Sequence, residues 1–412
     1  MNVLGIVSEY NPLHSGHVYH IAASREKIGA THVVCVMSGN FVQRGEPAVV
    51  DKWARAKMAL HSGVDLVLEL PVVFACASAE IFARGAVRIL DKTGIVDYLG
   101  FGSEQGEIET LKHIASVLVE EPSEFRLLLK DYLKQGLSFP AAREKAVTGY
   151  LNDIPEDIMN KSNNILAIEY LKALIASGSG IKPVTIKRKG SAYQDSIITE
   201  SFSSATAIRH FLKEAGSVSD PVLNGNLPSQ TRSVLGEYFE NSRGPVFPED
   251  FADIIIYLIR TIGPAKLKHT PDVNEGLESR LISAAFKAGT LDDLIETSAT
   301  SRYPSTRIKR ILFNTLLGIT TTDLKSILAD EACGYIRILG FNERGRELLQ
   351  RMQDTAAIPV ITKTAKYRSA LTGLSKKMFE YDVRATDVYV LAFNDRSQRG
   401  GDQDFTTPIV RI

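Results

Sequence analysis

Over the first hundred residues, short apolar runs alternate with amphipathic stretches. Val3-Leu4-Gly5-Ile6-Val7 is a continuous apolar run, the pattern of a strand buried on both faces. Gly16 to about Ile28 has helical periodicity, and His32–Met37 is a second buried strand. The turn-rich stretch Ser38–Gly45 leads to a helix over Asp51–Ser62, with Asp51 as N-cap and Gly63 just past its end. Val64–Leu70 is a third strand stopped by Pro71, Ala77–Lys92 a helix, and Val96–Phe101 a fourth strand. Apolar strands separated by helices of this length predict βαβ units. The result is a parallel, Rossmann-like sheet covered on both faces, with ligands at the carboxyl ends of its strands.

From about 105 to 180 the pattern is mostly helical; Val184–Arg188 then predicts another strand, and Ser203 opens a loop feeding a helix. Residues 217–230 have the Pro, Gly, Ser and Asn content of a linker, so a junction is expected there, between domains 1–216 and 217–412. Amphipathic stretches at 249–262 and 277–297 predict a mainly α-helical second domain, to which the last fifty residues add a strand candidate, Ile358–Thr362. A chain of 412 residues is long enough for two domains.

Composition narrows the setting. Hydrophobic residues at 44% and charged residues at 23% are ordinary for a soluble globular chain. The net charge is zero, so contact with RNA requires a local basic patch. Cys35, Cys76 and Cys333 lie far apart, which argues against a disulfide framework or a zinc ribbon and fits a reducing cytoplasm. No apolar run approaches the roughly 20 residues of a membrane span, and the first strand carries neither a basic flank nor a cleavage signal. A cytoplasmic protein without membrane attachment is expected.

The chemistry concentrates where the first strand meets the first helix, at His14-Ser15-Gly16-His17. Free backbone N–H groups at a helix start form an anion site, and Gly16 lets a flat ligand approach the backbone. Two imidazoles three residues apart can donate to phosphate oxygens as charge builds on them. A metal site using His14, His17 and His20 is the competing reading, but no cysteine or carboxylate lies close in sequence to complete a tetrahedral set. The strand–HxGH–helix arrangement resembles the nucleotidylyl-transferase superfamily (HUP-type) that shares a HIGH motif with class I aminoacyl-tRNA synthetases. That superfamily carries a second motif of the ISSTxIR kind, which Ser203-Ser204-Ala205-Thr206-Ala207-Ile208-Arg209 resembles, with Ala205 in place of one serine. Hydroxyls, helix-start N–H groups and the Arg209 guanidinium suit the β- and γ-phosphates and departing pyrophosphate.

EYNPLHSGH, VMSGNFVQRGEPAVVDKWARAKMAL, GVDLVLELP, FARGA, FGSE, SNNILAIEYLKAL, SSATAIR, YIRILGFNERG and IPVITK together resemble the tRNA(Met) cytidine acetate ligase family over nearly the whole chain. The resemblance implies ATP-dependent formation of acetyl-adenylate from acetate. Acetyl transfer to N4 of the wobble cytidine of elongator tRNA(Met) would follow. It implies catalytic roles for His14, His17, Ser204, Thr206 and Arg209. It places ATP on the segment Val7-Ser8-Glu9-Tyr10-Asn11-Pro12-Leu13-His14-Ser15-Gly16-His17-Val18-Tyr19-His20 and on Gly102, Asn163 and Arg188. No protein ligand for Mg²⁺ is evident, so the ion is expected to ride on the ATP phosphates. No obligate protein partner is expected. The loop Ser38–Gly45, with Arg44, is expected to close over the adenylate.

Residues 301–370 hold twelve Lys and Arg against six Asp and Glu, the imbalance of a nucleic-acid face. Arg302, Tyr303, Arg307, Lys309 and Arg310 form one group and Lys363, Lys366, Tyr367 and Arg368 another, with charges for phosphates and rings for an unstacked base. Two other functions use the same motifs: a metabolite nucleotidylyltransferase, or a non-catalytic RNA-binding protein with a vestigial nucleotide fold.

Overall fold

A computed structural model describes the chain except residues 153, 156, 189–197, 199–201, 216 and 275. Its centre is a sheet in which β1 (Val3–Ser8) pairs in parallel with β2 (His32–Ser38) on one side and β6 (Tyr98–Ser103) on the other. Beyond β2 lies β5 (Leu66–Leu70), and beyond β6 lies β7 (Lys182–Lys187), both parallel to their neighbours. Every residue of β2 and β5 is buried, as strands covered on both faces require; β2 is apolar from Val33 to Met37, and β5 is apolar but for one buried charge, Glu69. Between β2 and β5 the chain makes a small hairpin, β3 (Phe41–Val42) and β4 (Glu46–Pro47).

Helix α1 (Ser15–Ile28) follows β1, and α2 (Lys52–His61) precedes β5. Asp51 caps α2 as expected, its carboxylate accepting from Trp53 N and Ala54 N. The stretch 277–297 breaks into two helices, Leu277–Lys287 and Leu291–Ser298, because Thr290 caps a new start.

The sheet does not end where the expected junction falls. Three strands from the second half join it: β8 (Ile336–Phe341) runs antiparallel to β5, and β9 (Val360–Ile361) and β10 (Val410–Arg411) run parallel to β8. The segment 217–412 is mainly helical, and its strands complete the sheet begun at residue 3. Gly216, at the drawn boundary, lies outside the described residues. The strand expected at 358–362 shortens to Val360–Ile361.

A buried charge network fastens this return. Lys52 on α2 bonds Glu69 of β5 at 2.9 Å and Asp404 at 2.8 Å, all three with almost no exposed side chain. Arg337 of β8 meets Glu69 at 3.1 Å and Asp404 at 2.7 Å. Two cations face two carboxylates, so each desolvated charge has opposite partners. Beside them Arg55 of α2 donates to the carbonyls of Val50, Glu9, Ser38 and Gly39, tying the ends of β1 and β2 together. Replacing Arg337 with Met strands two carboxylates against one lysine, and should cost about 3–5 kcal/mol. Urea unfolding measures it; an unchanged midpoint would mean that the network contributes nothing net.

Candidate active site

The strand order creates the site. From β1 the chain builds outward through β2 and β5, then returns to the opposite side of β1 for β6 and β7. At such a switch point the loops leaving adjacent strands part in opposite directions and open a crevice at their carboxyl ends. A cavity of about 420 Å³ lies there, walled by the ends of β1, β6 and β7, the start of α1, the helices starting at Ser162 and Ala205, and the hairpin tip.

His14 stands in extended conformation as the N-cap of α1. Its Nδ1 accepts from Gly16 N at 3.1 Å, and His17 Nδ1 accepts from His14 N at 3.2 Å. The rings stack with centroids 3.8 Å apart, and Tyr10 meets His17 edge-on at 5.0 Å. A nitrogen that accepts an N–H cannot carry the proton of a neutral imidazole, so the proton sits on Nε2. Burial pushes the His14 pKa down to about 3, with Arg188 and Arg209 adding to the effect. His17 is lowered well below its usual value by burial and then by His14 and Arg188; His20 falls to about 4 through burial and Arg188. Both rings of the turn are neutral Nε2–H donors.

The anion site expected of backbone N–H groups at this helix start is not there. Ser15 N donates to Asn226 O, Gly16 N to His14 Nδ1, and His17 N and Val18 N to His14 O. The amides orient rings, and the rings take over the donor role. Gly16 lines the cavity, and its missing side chain has a further use. A Cβ there would lie 2.9 Å from His14 Cε1, so its missing side chain makes room for the imidazole. Of the segment 7–20, Pro12, Leu13, Ser15 and Val18 stay off the cavity wall, and the remaining ten residues line it.

The second signature keeps its place but changes its parts. Ser204 Oγ accepts from Ala207 N at 3.0 Å as a helix cap. Thr206 does not reach the cavity wall, contrary to the expectation for its hydroxyl, whereas Ser203, Ser204 and Ala205 do. The N–H of Ala205, on the wall, has no partner among the described residues and is an open donor at the start of this second helix. Arg209 lines the cavity while donating to Asn11 O at 2.8 Å and Glu46 at 2.9 Å.

Asn226 was missed. It is buried, its backbone oxygen accepts from Ser15 N at 2.8 Å, and its Oδ1 accepts from Ser203 N at 2.8 Å. The segment 217–230 is therefore a clamp between the two signatures rather than a linker. Its turn-forming composition carried no trace of that, since the same residues make exposed loops elsewhere.

Gly102 and Arg188 sit side by side: a Cβ on Gly102 would lie 3.2 Å from Arg188 Cγ, so the glycine lets the arginine cross β6. No acceptor among the described residues holds the Arg188 guanidinium. Asn163 donates its amide to Glu104 at 2.6 Å, which leaves its carbonyl oxygen for a ligand donor. Phe82, Phe101, Leu166 and Tyr170 make one part of the wall apolar, suited to a flat base. The loop Ser38–Gly45 is not an open lid. Phe41 and Val42 are fully buried, and Gly45, at φ +72°, lies so close to the Arg310 backbone that a Cβ would come within 2.3 Å of Arg310 N.

The basic stretch divides. Tyr303 is 9% and Tyr367 5% exposed, the latter stacked on Phe379 at 4.7 Å, so neither presents a face to an RNA base. Arg307 donates to Asp272 O at 2.7 Å, Arg310 pairs with Asp272 at 3.5 Å and Lys309 with Glu46 at 3.7 Å. Arg310 and Thr306 line the cavity itself. Arg302, Lys363, Lys366 and Arg368 are exposed. Among the described residues no group of three or more His, Cys, Asp or Glu side chains can hold a metal ion, so His14, His17 and His20 form no such set. No helix among them is long and apolar enough to cross a membrane.

A parallel sheet with this switch point, an HxGH turn after β1 and a capped helix start facing it defines a nucleotidyl transferase site. Residues 1–404 match the family described as HIGH Nucleotidyl Transferase. The chain is 47% identical over 414 residues to the tRNA(Met) cytidine acetate ligase of Acetivibrio thermocellus and 45% identical over 413 residues to that of a Thermoanaerobacter species, in both cases covering 100% of both chains. Thermotoga maritima TmcAL superposes with a TM-score of 0.95 in its apo form (38% identity) and 0.92 when bound with alpha-thio ATP (39% identity), each over 100% of both chains. The chain belongs to the tRNA(Met) cytidine acetate ligase family, a family of ligases within the HIGH nucleotidyl transferases.

Neutral buried imidazoles leave a mark on stability. His14 and His20 titrate near 6.5 when unfolded, but near 3 and 4 when folded. Between those values and 6.5 the unfolded chain binds more protons, so stability is full above about pH 6.5 and falls as pH drops through the window. Urea midpoints should decline from pH 7 to pH 4.5, and less steeply in a His14→Gln variant; parallel curves would show His14 to be charged in the fold.

Proposed function

We propose that this chain binds ATP in the switch-point cavity and activates acetate as acetyl-adenylate with release of pyrophosphate. It then transfers the acetyl group to N4 of the wobble cytidine (C34) of elongator tRNA(Met), yielding N4-acetylcytidine and AMP. The observation that carries the reading is the pair of Nε2–H donors of His14 and His17, held in one tautomer and kept neutral.

When acetate attacks the α-phosphorus, negative charge builds on the non-bridging oxygens. Fixed donors aimed at that charge lower the barrier by about 3–4 kcal/mol each. Because they are not ionised, the imidazoles do so without holding back the departing products as salt partners would. The apolar part of the wall receives the adenine, and the Asn163 carbonyl oxygen supplies an acceptor for its amine. Arg188 and the N–H group of Ala205 suit the pyrophosphate, with Arg209 held in place by Asn11 and Glu46. Mg²⁺ travels with the phosphates, and among the described residues the wall offers it one carboxylate, Glu9.

The anticodon approaches on the side of the helix Ser305–Leu317, whose Arg310 reaches the cavity. Exposed Arg302, Lys363, Lys366 and Arg368 engage phosphates, while stacking on Tyr303 or Tyr367 is not used. The wobble base leaves its stack to reach the adenylate. A tRNA substrate puts the reaction in the cytoplasm.

Acetate-dependent exchange between pyrophosphate and ATP tests the first step. His14→Ala and His17→Ala should each lower the exchange by roughly 10²–10³-fold while tRNA affinity changes little. Exchange that requires a phosphorylated acceptor instead of acetate would identify a metabolite nucleotidylyltransferase.

A further inference from the structure

Among the described residues, the cavity wall that suits a polyphosphate contains one carboxylate, Glu9, the first residue after β1. Arg44, Arg188, Arg209 and Arg310 share that wall, yet no ion pair to Glu9 forms among the described residues. Its Oε1 accepts from Gln43 N at 2.8 Å, and its backbone oxygen accepts from Arg55 Nη1 at 2.7 Å. One carboxylate oxygen is thus used to set the side chain against the hairpin tip, and Oε2 is left for a ligand. Gln43 in turn donates its side-chain amide to Ala77 O at 3.2 Å, so the hairpin that positions Glu9 is itself anchored.

A carboxylate in an anion site works against binding of the phosphates. The first step gives it nothing to do, because acetate attacks as its anion and no proton moves. The second step does release a proton. We propose, on the basis of the acetate-ligase reading above, that Glu9 accepts the proton of the attacking N4 amine during acetyl transfer. The N4 lone pair forms a bond to the acetyl carbonyl carbon. The bond from that carbon to the AMP phosphate oxygen breaks, and its electron pair leaves with AMP. The N4 proton passes to Glu9 Oε2 and is lost to solvent once AMP departs.

The surroundings suit a base. Burial raises the Glu9 pKa, with Glu46 adding to the rise, while the Gln43 N–H, Arg209 and Arg44 oppose it. Arg55 of α2 and Cys76 also lie in its field; the Cys76 thiol, pushed up to about 12 by burial, stays neutral. A carboxyl group raised toward the working pH exchanges protons more readily than an ordinary glutamate.

The experiment separates the two steps in the full-length protein. Glu9→Gln keeps an acceptor for Gln43 N, and its effect is read as the transfer rate relative to acetate-dependent pyrophosphate exchange in the same variant, which cancels any change in nucleotide binding. Single-turnover acetyl transfer from the preformed adenylate to tRNA should fall about 10²–10³-fold, the usual worth of a positioned base. Glu9→Asp should recover part of the transfer rate, and the acid limb of its pH profile, absent in Glu9→Gln, should return. Transfer at the wild-type rate in Glu9→Gln overturns the proposal. Loss of exchange in step with transfer also overturns it, and assigns Glu9 to nucleotide or metal binding instead. Absence of acetate-dependent exchange in the wild-type protein is a different outcome, which removes the underlying acetate-ligase reading.

Discussion

Two hydrogen bonds at the mouth of α1 govern the rest of the site: Gly16 N–H to His14 Nδ1, and His14 N–H to His17 Nδ1. Each satisfies a backbone donor that a helix start would otherwise leave unpaired, and each fixes which ring nitrogen is protonated. Burial then keeps the rings uncharged. The turn converts main-chain donors, which point along the helix axis, into side-chain donors that the cavity can aim. Serine at residue 15 leaves both ring positions undisturbed, and its own N–H and hydroxyl are held by the segment around Asn226.

The cavity is closed by parts of the chain far from that turn. Asn226 joins the start of α1 to the start of the second signature, Glu46 joins Arg209 to Lys309, and Arg310 reaches the wall from the helix Ser305–Leu317. Below them Lys52, Glu69, Arg337 and Asp404 bind the returning strand β8 to the parallel core. The cavity and the second half of the chain therefore share one sheet. The hairpin that presents Gln43 and Arg44 is wedged between them, already seated rather than waiting to close.

The parallel core was readable because its strands are buried on both faces and appear as largely apolar runs between helices, β2 above all, with Glu69 the one charge in β5. Strand β8 carries a similar run, Ile336 to Phe341, but it lies among helical stretches and follows no βαβ rhythm, so periodicity could not assign it to a sheet begun at residue 3. The histidines were legible from type and position. Their tautomer was not, because it depends on amides whose partners appear only in three dimensions. Thr206 was misplaced for a similar reason: the motif names a hydroxyl, whereas one step into the helix the residue leaves the wall, and Ala205 before it stays there. Tyr303 and Tyr367 illustrate the opposite error, in which aromatic residues beside basic ones suggest a platform for stacking bases and burial removes it.

The protonation pattern of the two rings can be read directly. Long-range ¹H–¹⁵N correlation spectra of the histidine-labelled protein distinguish a bare from a protonated ring nitrogen. For His14 and His17 the account predicts an unprotonated Nδ1 and a protonated Nε2, unchanged between pH 8 and pH 5.5. A proton on Nδ1, or a doubly protonated ring at pH 6, would contradict it.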